Sequence, residues 1–176
     1  MTSSAFLRPA TTDDAAAIAD VCGRAARQAY APLVSPDYLE RVLGHFYGVE
    51  RLRRETTPTS TWSGFTVAQE DRRVVGVAGS GRSSGHEATW ELFVLYVAPD
   101  AQRRGIGRQL LEHVVADAQR ASALCLQAAV MPGNLQAMRF YESCGFAAAG
   151  TRPIYAPHGE QGGPPEALIY ERMLAI

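Results

Sequence analysis

The stretch Leu92-Phe-Val-Leu-Tyr-Val-Ala-Pro-Asp-Ala-Gln-Arg-Arg-Gly-Ile-Gly-Arg-Gln-Leu-Leu111 decides the fold. Its first half, Leu92 to Ala98, is almost unbroken apolar sequence. That run is too short for a membrane span and suits a strand buried on both faces. Pro99 and Asp100 end it, and Ile106, Leu110, Leu111, Val114, Val115 and Ala118 then fall on one helical stripe. Between strand and helix lies Gln102-Arg103-Arg104-Gly105-Ile106-Gly107, followed by Arg108. Gly105 and Gly107 have no Cβ, so a ligand can approach the main chain there. The first N–H groups of a helix lack internal partners and carry partial positive charge. A strand, a glycine turn and a helix start therefore make an anion site of the size of a pyrophosphate, with Arg103, Arg104 and Arg108 around it.

Two common nucleotide sites do not fit this turn. The dinucleotide fingerprint needs a third small residue where the chain has Leu110, and the P-loop needs a lysine, of which the chain has none.

The stretch resembles the acetyl-CoA signature of the GCN5-related N-acetyltransferase (GNAT) family, Gln/Arg-x-x-Gly-x-Gly/Ala after a strand, matched by Gln102 to Gly107. A second family element, Asn-x-x-Ala-x-x-Phe-Tyr-Glu-x-x-Gly-Phe, is matched at Asn134, Ala137, Phe140, Tyr141, Glu142, Gly145 and Phe146. The resemblance is sharp from Glu91 to Phe146 and general elsewhere.

Length and composition are compatible with it. A chain of 176 residues is expected to be a single domain with an ample core. Hydrophobic content of 47%, charged content of 20% and a net charge of −1 describe an ordinary globular chain and argue against a nucleic-acid partner. Without lysine, Schiff-base chemistry is excluded. Cys22, Cys125 and Cys144 have no framework or metal-ligand spacing and read as reduced thiols of a cytoplasmic protein, without a metal. Neither a signal peptide nor a run of about 20 apolar residues is evident, so no membrane partner is expected.

Along the chain, Phe6 to Pro9 reads as a first strand. A helix to about Tyr30 follows, capped at Thr11 or Thr12, with Ile18, Val21, Cys22 and Ala25 inward. Ser35-Pro36 opens a second helix with Tyr38, Leu39, Val42, Leu43 and Phe46 on its buried side. Arg51 to Ser63 reads as a mobile polar connector. Phe65 to Gln69 and Arg73 to Ser80 form two strands, Thr89 to Val97 the central strand, and the long helix runs to about Ser122. Leu124 to Val130 is a parallel partner for the central strand, and Asn134 caps a short helix that ends at Gly145. Phe146 to Gly150 and Ala167 to Leu174 are the last strands, joined by a Pro/Gly-rich loop that holds His158. The class is α/β: a mixed, mostly antiparallel central sheet flanked by helices.

The resemblance implies more. Its fold has a splayed parallel strand pair that binds acetyl-CoA, with the pantetheine arm pairing beside Leu95, Tyr96 and Val97 like an added strand. Acetyl-CoA is then the co-substrate, held by those residues, by Arg103, Arg104, Gly105, Ile106, Gly107 and Arg108, and by Asn134, which also suits a helix cap. Arg139 faces either the CoA phosphates or solvent. Tyr141 matches the general acid of the family; a phenol with pKa about 10 is protonated at neutral pH and can donate to a thiolate. Glu91, six residues before Val97, matches the position of a general base and equally suits a salt-bridged strand end. The Val97 N–H is the oxyanion donor by resemblance. Cys144 is a weak candidate nucleophile, since no histidine pairs with it in the sequence.

The implied activity is acetyl transfer to a primary amine by direct attack in a ternary complex. The acceptor is read as a small molecule; a protein or peptide acetyltransferase and a catalytically silent CoA-binding sensor are the alternatives. The ribosomal-protein N-terminal acetyltransferases carry a glutamate five residues before the asparagine, where this chain has Ala129. Acceptor-pocket candidates are Tyr30, Tyr38, Trp62, Trp90, Tyr155 and His158. Family members are often dimers, so a homodimer is an expectation by analogy.

Overall fold

The computed structural model describes residues 5–155 and 163–175. In chain order these form β1 (Phe6–Pro9), α1 (Ala15–Tyr30), α2 (Pro36–Phe46), α3 (Val49–Glu55), β2 (Trp62–Glu70), β3 (Arg73–Arg82), β4 (Thr89–Val97), α4 (Ile106–Arg120), β5 (Cys125–Val130), α5 (Leu135–Ser143), β6 (Ala147–Pro153) and β7 (Glu166–Met173). The strands make one sheet in the order β1-β2-β3-β4-β5-β7-β6. Every pairing is antiparallel except β4 with β5, which is parallel.

Local chemistry sets the helix ends. Thr11 N–H donates to the Asp14 carboxylate at 2.7 Å, and Arg8 of β1 grips the same carboxylate through two bonds of 2.7 and 2.8 Å. Ser35 caps α2 by accepting from Tyr38 N–H, with Pro36 at the first helical position. Helix α5 ends in a Schellman pair: Phe146 N–H donates to Tyr141 O and Gly145 N–H to Glu142 O, with Gly145 at φ +83°.

Helices α1 and α4 both pack on β3 and β4. Strand β3 is consequently buried over eight consecutive residues, Val74 to Gly81. The stripe expected of α4, Ile106 to Ala118, is buried in full, and so is that of α1. Gly76 lets α4 lie close to the sheet: a Cβ there would stand 3.0 Å from Leu110 and 3.1 Å from Ile106. Each aliphatic side chain taken out of water in this core contributes on the order of 1.5–3 kcal/mol.

Two expectations are corrected. Part of the stretch read as a mobile connector is helical, since α3 covers Val49–Glu55, and β2 already begins at Trp62. Helix α3 is held by Leu52, which is wholly buried, and by Arg51–Glu55 and Arg53–Glu50 ion pairs along its surface. The central strand is not buried throughout. It pairs with β5 only from Thr89 to Leu92; beyond that Phe93 is 41% exposed and Leu95 to Val97 are half-buried. The reason is the divergence of β4 and β5 after Leu92 and Ala128, which opens a gap in the sheet.

Candidate active site

The ladder between β3 and β4 decides which way the main chain of the open segment points. Ala98 N–H donates to Val75 O at 2.8 Å. Antiparallel partners alternate between bonded and non-bonded pairs, so Tyr96 is the next residue that bonds to β3. Val97 and Leu95 turn their N–H groups to the other side, into the gap where β5 has left. The Val97 carbonyl accepts from Gln102 Nε2 at 3.0 Å, and the same amide group reaches Gln28 on α1 at 2.9 Å. The glutamine of the turn thus ties the end of β4 to α1.

From there the chain turns through Arg103 at φ +60° and Gly105 at φ +84°. A Cβ on Gly105 would meet nothing within 4 Å, so conformation rather than space selects glycine there. Helix α4 has no side-chain cap, and its first internal bond runs from Gln109 N–H to Gly105 O at 3.0 Å. The amides of Ile106, Gly107 and Arg108 precede that bond and have no intrahelical acceptor. Gly107 faces Phe140 and Val97 with room for a Cβ in ordinary contact, 3.6 and 3.7 Å away, so packing alone does not require glycine at this position. What a Cβ would fill is part of the cleft.

That cleft has a volume of about 530 Å³ and is walled by β4, the turn, α4, the end of β5 and α5. It brings together Leu95, Tyr96, Val97, Arg103, Gly105, Ile106, Gly107, Arg108, Asn134 and Tyr141 from the sequence-based set, together with Arg139. Two residues of the set stand elsewhere. The Arg104 guanidinium turns away to pair with Glu70 at the end of β2, at 2.6 Å, and does not line the cleft. Glu91 does not line it either. Asn134 caps α5, accepting from Ala137 N–H at 3.2 Å, while also lining the cleft, so its two expected roles are compatible. Arg108 bonds Ser143 Oγ and O at 3.3 and 3.2 Å and fastens α4 to the end of α5.

Tyr141 lies on the cleft wall at 9% exposure, its ring among Phe140, Phe146 and Tyr170. Burial raises its phenol above the ordinary range, so it is protonated at neutral pH and is a donor. The Schellman turn at Gly145 begins at Tyr141 O and brings Phe146 back against the Tyr141 ring, which fixes where the hydroxyl sits.

Glu91 is 1% exposed, in the part of β4 still paired with β5, and is ion-paired through Oε1 with Arg152 of β6, two strands beyond β5 in the sheet. Its Oε2 is buried with no hydrogen-bond partner, as is Arg152 Nε. Arg152 also lies over the Tyr155 ring, 4.3 Å from its centroid. A single carboxylate with one oxygen committed and one free is a strained arrangement for a buried group.

A second cavity, about 650 Å³, lies on the other side of the gap. The two cavities share Tyr30, Phe93, Tyr96 and Ala129 as walls. At this junction the Tyr96 and Tyr30 hydroxyls are 3.4 Å apart, and burial raises both phenols. Of the expected acceptor-pocket side chains, Tyr30, Tyr38, Trp62 and Tyr155 line the second cavity. Trp90 instead sits in the core with its indole N–H on Ser80 Oγ at 3.0 Å, and His158 lies outside the described residues. Sequence reasoning missed Phe46, Tyr47, Phe65, Arg51, Arg82 and Arg152 as cavity walls. Val42 and Phe46, expected on the buried side of α2, are only half-buried because they face this space.

Cys22 and Cys144 are buried and Cys125 is half-buried, all as free thiols. Cys144 sits behind the Schellman turn, and its sulfur has Ser143 Oγ at 3.8 Å. Among the described residues no group of His, Cys, Asp and Glu is placed to hold a metal ion, and no helix is long and apolar enough to cross a membrane.

The chain is similar to known proteins in sequence and in fold. A family model described as acetyltransferase (GNAT) family matches residues 28–146. The ribosomal-protein-bS18-alanine N-acetyltransferase of Salmonella typhimurium is 41% identical over 83 residues, 47% of this chain and 53% of that protein. This chain therefore matches only about half the length of that relative. An uncharacterised N-acetyltransferase of Mycobacterium bovis is 30% identical over 139 residues, 79% of this chain and 86% of that protein. Among solved structures, the PaiA N-acetyltransferase of Thermoplasma acidophilum, in complex with coenzyme A, superposes with a TM-score of 0.80 at 20% identity, covering 97% of this chain and 99% of its own. At that identity the likeness speaks for the fold.

Proposed function

Because the chain belongs to the acetyltransferase (GNAT) family, we propose that it moves the acetyl group of acetyl-CoA onto a primary amine of a small molecule, by direct attack within a ternary complex. The observation that carries the reading is the row of unpaired amides at Ile106, Gly107 and Arg108, set at the mouth of the gap between β4 and β5. In this reading the amides receive the diphosphate, with Arg103 and Arg108 beside them. The outward main chain of Leu95 and Val97 pairs with the pantetheine arm.

Each step then falls to a group of this chain. The Val97 N–H donates to the carbonyl oxygen as the amine nitrogen adds to the thioester carbon. Removing one such donor typically costs about 3 kcal/mol of transition-state stabilisation. When the C–S bond breaks, the Tyr141 hydroxyl gives its proton to the departing sulfur and recovers one from solvent. The ammonium form of the acceptor must first lose a proton, which at pH 7 costs about 4 kcal/mol for a pKa near 10. We assign that task to Glu91 Oε2, acting through a water, because Oε1 is committed to Arg152.

A protein acceptor is the second reading, favoured by the Salmonella relative. Against it stands Ala129, which occupies the place of the glutamate expected in such enzymes and is a wall common to both cavities. The test is calorimetric titration with acetyl-CoA, followed by free-thiol release over a panel of amines and alanine-terminated peptides. The proposal expects tight acetyl-CoA binding and turnover with a small amine. Binding without turnover on any acceptor would leave a CoA sensor, and turnover confined to the peptides would establish the second reading.

A further inference from the structure

The second cavity has a chemistry of its own, and it bears on which amine the enzyme takes. This inference rests on the proposed acetyl transfer. The junction of the two cavities is polar: the Tyr30 and Tyr96 hydroxyls meet there at 3.4 Å. Beyond the junction the walls are apolar, with Val42, Leu43 and Phe46 of α2, Phe65 of β2, Val94 of β4 and Ile154 after β6. The ionised groups on the walls are mainly guanidiniums, from Arg51, Arg82 and Arg152. Glu55 is the one carboxylate among the described wall residues, and Arg51 holds it at 2.7 Å. Glu91, behind Arg152, is likewise committed through Oε1.

A cavity with one polar end and an apolar body selects an amphiphile of the same shape. A volume of about 650 Å³ has room for an aromatic ring as well as an alkyl arm. Among the described residues the carboxylates at this cavity are already bound to guanidiniums, and the one unpartnered oxygen, Glu91 Oε2, is assigned to the reacting amine. A second ammonium would therefore meet no counter-charge there and would be repelled by the guanidiniums. Burying a charge unpaired is strongly unfavourable. We infer that the acceptor is a primary monoamine whose body is an aryl-bearing or branched apolar chain, and that polyamines and other polycations are excluded.

The reaction balances without a further reactant. The amine nitrogen bonds to the acetyl carbon and the C–S bond breaks. Of the two protons the ammonium loses, one is released to solvent and the other is accounted for on the CoA thiol.

The test uses 4-phenylbutylamine and spermidine, which share a four-carbon arm with a terminal primary amine and differ in the group at its far end, a phenyl ring in one and a second amine in the other. Thiol release is measured for both with the full chain and acetyl-CoA, and binding of both to the CoA-loaded protein is measured by calorimetry. The expected result is a kcat/KM at least ten-fold higher for 4-phenylbutylamine, with tighter binding to match. Val42→Asp places a carboxylate on the apolar wall. It should move the ratio at least ten-fold toward spermidine while acetyl-CoA affinity stays as it was; if that variant does not fold, the wild-type ratio still decides. Equal or better use of spermidine by the wild type overturns the inference, as does a folded Val42→Asp variant with an unmoved ratio, or a preference for an alanine-terminated peptide over both amines. Failure to bind acetyl-CoA would remove the acetyl-transfer reading along with it, whereas acetyl-CoA binding with a spermidine preference removes this inference alone. If acetyl-CoA binds but neither amine turns over, selective binding of 4-phenylbutylamine supports the inference and its absence overturns it.

Discussion

The two cavities meet at four shared residues but are built in different ways. The cleft takes its ligand-facing donors from the main chain of one contiguous stretch, the outward N–H groups of Leu95 and Val97 and the unpaired amides of Ile106 to Arg108, within walls that α1, β5 and α5 complete. The second cavity is made from side chains on α1, α2, α3 and strands β2 to β7. A main-chain site depends on where a strand stops and a helix starts, and it tolerates many side chains around it. A side-chain site is specified residue by residue. The first kind suits a carrier common to many enzymes; the second suits an acceptor particular to one.

The comparison breaks most visibly at Tyr141, which belongs to the cleft wall but acts on the bond that joins the two ligands. Tyr141→Phe keeps the ring and removes the proton donor. Turnover should fall by about 100-fold or more, the scale of a lost general acid, while acetyl-CoA affinity is nearly unchanged. Steady-state kinetics alongside calorimetry checks this, and full activity in the variant would remove Tyr141 from the mechanism.

Glu91→Gln tests the residue that stands behind Arg152 of the second cavity and itself lines neither cavity. The neutral amide leaves Arg152 without its counter-charge in a largely buried setting. A loss of stability on the order of 2 kcal/mol is expected, together with a pH–rate profile moved toward alkaline pH. Denaturant unfolding and rate measurements between neutral and alkaline pH separate the two effects. An unchanged profile with the stability loss would make the pair structural only.

Gly107→Asp sharpens the claim that this position serves the ligand rather than the fold. The signature that the turn resembles takes glycine or alanine here, and a Cβ would meet Phe140 and Val97 only at ordinary contact distances, so a methyl group is accommodated. A carboxylate, by contrast, would stand where the reading places the diphosphate. An acidic side chain in the first turn of a helix is favourable, so thermal stability should hold. Acetyl-CoA affinity, measured by titration calorimetry, should fall at least ten-fold. A variant that binds acetyl-CoA as well as the parent would show that the diphosphate lies elsewhere.

The smallest effect expected is remote from both cavities. The Arg8 hydrogen bond, aided by the Thr11 N–H, holds the Asp14 carboxyl below its ordinary range. A lowered folded-state value means that the contribution is fully present above the unfolded pKa, near 3.9, and is lost as pH falls through the folded value. Asp14→Asn should therefore cost about 1 kcal/mol at neutral pH and progressively less below pH 4. The activity of the variant at neutral pH should match the parent; a selective loss of amine turnover would tie this corner to the acceptor side.

The same contrast explains what could be read from the chain. Apolar spacing located the core stripes of α1 and α4, and the Gly105 and Gly145 turns marked helix ends, because these are local consequences of sequence. The parallel β5 was legible as a second apolar run. Helix α3 was not: seven residues with three arginines and two glutamates carry their core signal in Leu52 and Val49 alone. The cleft was legible for the same local reason, apart from Arg104, whose partner Glu70 lies 34 residues earlier. The pairing of Glu91 with Arg152 spans 61 residues and leaves no periodic trace. The cavity aromatics look in sequence like any core aromatics; Trp90 and Trp62 differ only in that one packs inward and the other faces the open space.

The account stands most directly on where the diphosphate of the carrier binds. A crystal structure with coenzyme A should place phosphate oxygens within hydrogen-bonding distance of the Ile106, Gly107 and Arg108 amides, with the pantetheine arm running along Leu95 to Val97. Density for the ligand at any other place, with those amides facing solvent or covered by the protein's own side chains, would contradict it.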